Sequence, residues 1–207
     1  MELKYRGGNC IEIAVKKDTF IVDGKLSSVG LKDITDKDAV YLATQPSFNA
    51  ATEGSIVIDS PGEFEVRGVS VKGIAARRMI DSEGAKNTTI YALVVDGVRI
   101  VVVGHVHQPL TEDELEAIGL VDMAIVPVGG NGYTLDAHQA MKIVKQLEPK
   151  VVVPTHYQDE AIHYEVPQNS LEEFIKEMSA EHEIVTSYKV KGGVLPATLT
   201  LVEISRS

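Results

Sequence analysis

Near residue 110 the texture of the chain changes, and that change limits the fold more than any other feature. Before it, short β-branched runs follow one another at hairpin spacing: CIEIAV, TFIVDG, AVYLAT, SIVID, FEVRGVSVKGI and TTIYALVVDGVRIVVVG. Their alternation and length are those of strands. Asp96-Gly97 sits between two such runs and predicts a two-residue hairpin turn, because both residues tolerate positive φ. Arg67-Gly68 predicts a second one between FEV and VSV.

After the divide, helices alternate with buried strands. Thr111 and Glu114 form the pattern of a capping box for a short helix that Gly119 closes. VDMAIVPV and KVVVPTHY read as fully buried strands. TLDAHQAMKIVKQLE carries apolar residues at 137, 140, 141, 144 and 147, one face of a helix. Ser170 with Glu173 predicts the cap of a last helix, SLEEFIKEM, and strands are expected at 183–190 and 198–204. Hairpins followed by strand–helix–strand units predict an α/β (α+β) fold of two mixed sheets with outer helices, residues 1–207 forming one domain.

Composition narrows the function. Hydrophobic residues make up 44% and charged residues 24%, as in an ordinary globular protein, and the net charge is −10. An acidic surface repels phosphodiester backbones, and Lys16-Lys17 and Arg77-Arg78 are too short to make a basic patch, so no nucleic-acid partner is expected. MELKYRGG has no apolar signal-peptide core, and no apolar run reaches membrane-spanning length, so a soluble, cytoplasmic protein without a membrane partner is expected. The one cysteine, Cys10, allows neither an internal disulfide nor a cysteine-based zinc cage and reads as a buried filler.

Candidate chemistry collects in the loops after buried strands: ATQPSFNA (43–50), GIAARR (73–78), GHVHQP (104–109) and PTHY (154–157). Gathered at one end of the sheets, they would form a single pocket. Gly130 lies in a glycine-rich loop, PVGGNGYTLD, that leads into a helix N-terminus. Such a loop either turns the chain or offers backbone N–H groups to an anion. Asp136 reads as a stabiliser of that helix end. His138, His163 and His182 read as surface residues.

The order PGEFEVRGVSVKGI, KNTTIYALVVDGVRI, VVVGHVHQPLTEDELEAIGLVDMAIVPVGG and LEPKVVVPTHY resembles the metallo-β-lactamase superfamily. More narrowly, it is similar to the small bacterial Zn-dependent hydrolases related to ascorbate-phosphate lactonase. The resemblance runs from the N-terminus to about Tyr157 and implies an αββα sandwich. In that family T-H-x-H-x-D-H supplies metal ligands. Here the stretch reads T44-Q-P-S-F-N-A50, which puts Gln45, Ser47, Asn49 and Ala50 at the ligand positions. A further family histidine falls on Arg78, and the bridging aspartate on His105. The last histidine, in P-x-H-Y, is retained as His156. The early G-H-A-C motif is replaced by Gly7-Gly8-Asn9-Cys10.

Amide, hydroxyl, methyl and guanidinium groups are poor zinc ligands, and a fixed cation repels a divalent ion. These replacements therefore predict a degenerate zinc site, no cofactor, no catalytic residue and a metal-free binding or interaction protein, a pseudoenzyme. Its site would comprise His105, His156, Arg78, Gln45, Asn49 and Gly130, with a small anion, a protein or a second copy of the chain as partner. The alternative is a hydrolase of a small ester, lactone or phosphate-bearing substrate, using zinc on His105, His107 and His156. A purely structural subunit is the third reading. Arg78 either faces the anion or pairs with Asp81 or Glu83. The ring nitrogens of His105 and His156 are expected no more than roughly 8 Å apart, a limit well beyond hydrogen-bond reach even through one water, with at least one ring neutral and His107 facing away.

Overall fold

The computed structural model describes residues 1–207. The first strands build one sheet: β1 (Glu2–Gly7), β2 (Cys10–Val15), β3 (Asp18–Val22), β4 (Val40–Leu42) and β5 (Ile56–Ile58). A second sheet begins with β6 (Gly62–Val66), β7 (Val69–Ala76), β8 (Thr88–Val95) and β9 (Val98–Val102). It continues through β10 (Met123–Pro127) and β11 (Val151–Thr155). The chain ends with β12 (Glu181–Val185), β13 (Tyr188–Lys189) and β14 (Thr200–Ile204). The six-stranded sheet runs β13-β1-β2-β3-β4-β5, and the eight-stranded sheet runs β12-β14-β11-β10-β9-β8-β7-β6. Both are mixed, as expected: hairpins pair antiparallel in β6 to β9, and β9, β10, β11 and β14 pair parallel.

Both predicted hairpin turns form. Asp96 and Gly97 have φ of 49° and 81°, and Arg67 and Gly68 have 54° and 74°, the left-handed conformation such a turn needs. β10 and β11 are buried at every position because both faces of their sheet are covered. Alternation divides their side chains. Met123, Ile125, Val151 and Val153 enter a cluster of 26 buried residues between the sheets. Ala124, Val126 and Val152 face the other way, into a cluster of 23 beneath the helices.

All three helices lie on that side. They are α1 (Glu112–Ile118), α2 (Ala137–Leu147) and α3 (Leu171–Met178). Thr111 and Glu114 make the expected capping box on α1. Asp136 does more than add charge to α2: its side chain accepts from the Gln139 backbone N–H, and the Gln139 side chain answers. Ser170 departs from expectation. It occupies the N-cap position of α3 without a side-chain bond, and Glu173 instead accepts from Asn169 Nδ2 at 2.9 Å.

The other outer face is covered differently. Loops carrying two single 3-10 turns, Ser27–Val29 and Pro46–Phe48, bury Cys10, Ile21, Leu26, Ala39, Tyr41 and Ala50 over the six-stranded sheet. The strand expected at 183–190 divides in two, since the chain bends at Thr186 and Ser187 and passes from one sheet to the other. No helix is long and apolar enough to cross a membrane.

Candidate active site

Three of the four loops expected to meet line one cavity, and GIAARR (73–78) does not. The β1–β2 turn, the ends of β3 and β4, and the ends of β9 and β11 converge on a cavity of about 150 Å³ lined by Asn9, Asp23, Phe48, His105, Tyr133 and His156 among others. Each parallel strand delivers its following residue to the same rim, which is why sequence-distant residues gather there.

His105 and His156 form the centre. Their ring centroids are 4.7 Å apart with planes at 89°, an edge-on contact, well inside the expected limit. Only 3% of His105 is exposed, and neither ring nitrogen has a hydrogen-bond partner. His156 is 5% exposed, and its Nδ1 lies 3.1 Å from Gln168 Oε1. Because the Gln168 amide nitrogen donates to the Val166 carbonyl, its oxygen is the atom facing His156. Nδ1 therefore carries the proton, leaving Nε2 with its lone pair. Phe48 and Tyr133 pack on His105, each with centroids 5.3 Å away, and Tyr164 lies on His156 at 4.6 Å.

Burial holds both imidazoles neutral. It drives His105 well below its ordinary range, with His156 and then the Arg78 charge adding to the effect. It lowers His156 to about 4, against the bond to Gln168. His107, two residues beyond His105 in the H-x-H pair, turns out of the cavity as expected. Its backbone N–H donates to the Arg77 carbonyl at 2.7 Å, and its half-buried ring is depressed by burial and the Arg77 charge.

His156 has φ of 52°, uncommon for a residue with a side chain. Two contacts fix it there. Its N–H donates to the Gly8 carbonyl at 2.7 Å, and Gly129 faces it, where any Cβ would collide with the His156 carbonyl oxygen and Gln168 Oε1.

Asp23 was missed by sequence reasoning, as were Asn9, Phe48, Tyr133 and Tyr164. The Asp23 carboxylate is buried and accepts from the Thr44 N–H, the Thr44 hydroxyl and Asn9 Nδ2, each at 2.7 Å. Asn9 Oδ1 in turn accepts from the Thr155 hydroxyl at 2.9 Å, one residue before His156. Burial raises Asp23 to about 6, with the hydrogen bonds opposing.

Other expected residues stand apart from the cavity. Arg78 pairs with Asp81: Nη2 to Oδ1 is 2.7 Å and Nε to Oδ1 is 3.1 Å. Its Nη1 donates to Gln45 Oε1 at 3.0 Å, so these two candidates bond each other rather than a ligand. Asn49 Oδ1 accepts from the Ala51 N–H. Gly130 donates to the Leu135 carbonyl and abuts Asp136, which closes its loop on itself. Among the six expected site residues, the fold brings only His105 and His156 into the cavity lining.

A zinc ion would find suitable donor types here, and the partnerless nitrogens of His105 are what an unfilled ligand position leaves. The count falls short. No three His, Cys, Asp or Glu residues lie together, whereas a catalytic zinc takes three protein ligands. The residues present do not complete such a site.

Residues 2–156 match the β-lactamase superfamily domain family. A metal-dependent hydrolase of the UPF0173 family from Nanoarchaeum equitans is 26% identical over 168 residues, covering 72% of this chain and 63% of that protein. One from Thermoplasma acidophilum is 30% identical over 106 residues, covering 50% and 46%. This chain thus spans about half to two thirds of the length of these relatives. Among solved structures, a Thermotoga maritima protein assigned as a Zn-dependent hydrolase of the metallo-β-lactamase superfamily superposes with a TM-score of 0.79 at 21% identity, covering 99% of this chain and 98% of that one. A metallo hydrolase from Ignicoccus hospitalis gives 0.62 at 18% identity, covering 99% and 94%.

These relatives correct the main functional expectation. A cofactor-free, non-catalytic pseudoenzyme with a degenerate zinc site was read from Gln45, Ser47, Asn49, Ala50 and Arg78 one position at a time. The relatives, 26–30% identical over part of this chain, are named metal-dependent hydrolases. The physical reason for the error is that losing ligands at one loop does not dismantle a cavity. His105 and His156 remain in contact, buried and open to a further partner.

Proposed function

The chain belongs to the β-lactamase superfamily, and from that membership we propose that it is a hydrolase of a small ester, lactone or phosphate-bearing substrate, acting in the His105–His156 cavity. One observation carries the reading: a buried imidazole, His105, presents two unpartnered nitrogens beside a second neutral imidazole in the wall of a cavity. An unpaired buried polar group costs about 1–3 kcal/mol, so a fold keeps it where a ligand or water completes it.

The chain's own groups supply acid–base chemistry. A neutral His105 takes a proton from water as the oxygen attacks the carbonyl carbon or phosphorus. It returns that proton to the leaving oxygen as the bond breaks. The lone pair on His156 Nε2 accepts a hydrogen bond from the same water or from the substrate. Phe48, Tyr133 and Tyr164 exclude bulk solvent. No step is assigned to a metal, because the protein ligands present do not complete a site for one. The metal dependence in the relatives' names therefore enters the test. Residues 1–207 act as one domain in this proposal, with the cytoplasm as compartment, a reading supported by the single buried, unpaired Cys10.

Hydrolysis of phenyl acetate, a lactone and phenyl phosphate by the purified protein, with and without added Zn²⁺ or Mn²⁺, tests the proposal. His105→Gln is expected to lower kcat/KM by about 10²–10⁴-fold, the usual contribution of a positioned base. Unchanged activity in that variant, or no hydrolysis under any metal condition, would overturn it.

A further inference from the structure

The cation in the cavity lining and the one whose charge reaches His105 are both held by a carboxylate. Lys25 lines the mouth, but its Nζ lies 2.6 Å from Asp33 Oδ2. Arg78 sits close enough to affect His105 and Tyr133, yet its guanidinium is bound by Asp81 and Gln45. The Asp81 side chain is 6% exposed and that of Arg78 28%, so the carboxylate is the more enclosed member of the pair. The other charged residues in the lining are acidic, Asp23 and Glu165. Two backbone donors at the glycine-rich loop and the start of α2 are also taken. The Gly130 N–H goes to Leu135 and the Gln139 N–H to Asp136. An anion entering here would meet two acidic residues and no unpaired cation.

The walls suit a different guest. Phe48, Tyr133 and Tyr164 surround the two imidazoles with aromatic surface, and the space is about 150 Å³, below the usual range for drug-sized ligands. We infer that the site is built for a small uncharged acyl substrate, an ester or lactone with an apolar ring or chain, and that Asp81 is a specificity-determining residue because it holds the Arg78 charge away from the cavity. The inference rests on the hydrolase reading and narrows its substrate from three classes to two. Asp81 acts through Arg78 and touches no substrate.

Two probes of matched shape test it apart from catalysis: acetanilide, uncharged, and phenylphosphonate, an anion. Their binding is read from the His105 and His156 ring-proton NMR signals. Acetanilide should bind at least about tenfold more tightly than phenylphosphonate, since an ion without a partner forfeits a charge-assisted hydrogen bond. Asp81→Asn keeps the shape and releases the guanidinium, so phenylphosphonate affinity should rise about tenfold while acetanilide affinity stays within about twofold. Equal or tighter binding of phenylphosphonate by the wild type overturns the inference, as does a failure of acetanilide to shift either histidine. The wild-type ranking decides even if Asp81→Asn folds poorly. Hydrolysis of phenyl acetate or phenyl phosphate is scored separately and bears on the hydrolase reading alone.

Discussion

The two outer faces of the sandwich are covered by different means, and the cavity lies between the results. Capped helices shield the eight-stranded sheet, with Phe174, Ile143 and Ala140 fully buried beneath them. Loops shield the six-stranded sheet with a cluster of only six buried residues. His105 and His156 follow β9 and β11, central strands of the helix-covered eight-stranded sheet. Asp23, Phe48 and Lys25 belong to the loop side. The two imidazoles on which the proposed hydrolysis rests thus sit at the helix-covered half, and part of the cavity wall comes from the loop-covered one.

Truncation at matched depth should expose that contrast most strongly. Phe174→Ala is expected to lower unfolding free energy by about 3–5 kcal/mol, and Leu26→Ala, in the small cluster under the loops, by about 2 kcal/mol. Urea denaturation of both variants measures the gap. A larger loss at Leu26 would reverse the comparison.

Proton linkage gives the second test, with opposite signs on the two halves. Asp23 is raised from 3.8 to about 6, so its contribution to stability is full below pH 3.8 and is lost as pH rises through 6, by about 3 kcal/mol. His156 is lowered from 6.5 to about 4, so its contribution is present above pH 6.5 and is lost as pH falls through 4. Asp23→Asn should therefore steepen the rise in stability from pH 4 to 6.5, and His156→Asn should flatten or invert it. Parallel slopes in the two variants would show that the halves do not titrate as described.

The smallest expected difference lies within the helical half. Asp136→Ala removes a bonded cap and should cost about 1 kcal/mol, whereas Ser170→Ala removes none and should stay within about 0.5 kcal/mol. Thermal melts of the pair resolve this.

What could be read in the sequence was local. The Asp96-Gly97 turn, the Thr111–Glu114 box and the apolar runs of β10 and β11 depend on near neighbours or on simple alternation, and all appear in the fold. The pairing of His105 with His156 was reached through the family resemblance, which places both at one point. Asp23 escaped because TFIVDG reads as a strand and a turn, while the partners that bury its carboxylate, Asn9 and Thr44, are 14 and 21 residues away. The Arg78–Asp81 pair was one of two open readings, since spacing alone does not say which way a guanidinium turns. The expectation of a metal-free, non-catalytic protein failed for a related reason. Ligand positions were judged by residue type, whereas a working pocket depends on what the whole rim brings together.

The hydrogen-bonded line from Thr44 through Asp23 and Asn9 to Thr155 crosses from the six-stranded sheet to the eight-stranded one at 2.7 to 2.9 Å per bond. It is one of the directional ties between the two layers, beside the Tyr91 hydroxyl on the Ala43 and Ile58 carbonyls and the His156 N–H on Gly8, while the rest of the interface is spaced by side-chain bulk. Changes in the intersheet core that push the layers apart by a few tenths of an ångström are absorbed gradually by apolar contacts. At these ties the same displacement stretches directional bonds that weaken steeply with distance. A change in layer spacing therefore reaches Thr155, and with it the backbone beside His156, as a strained bond rather than as a loosened apolar contact.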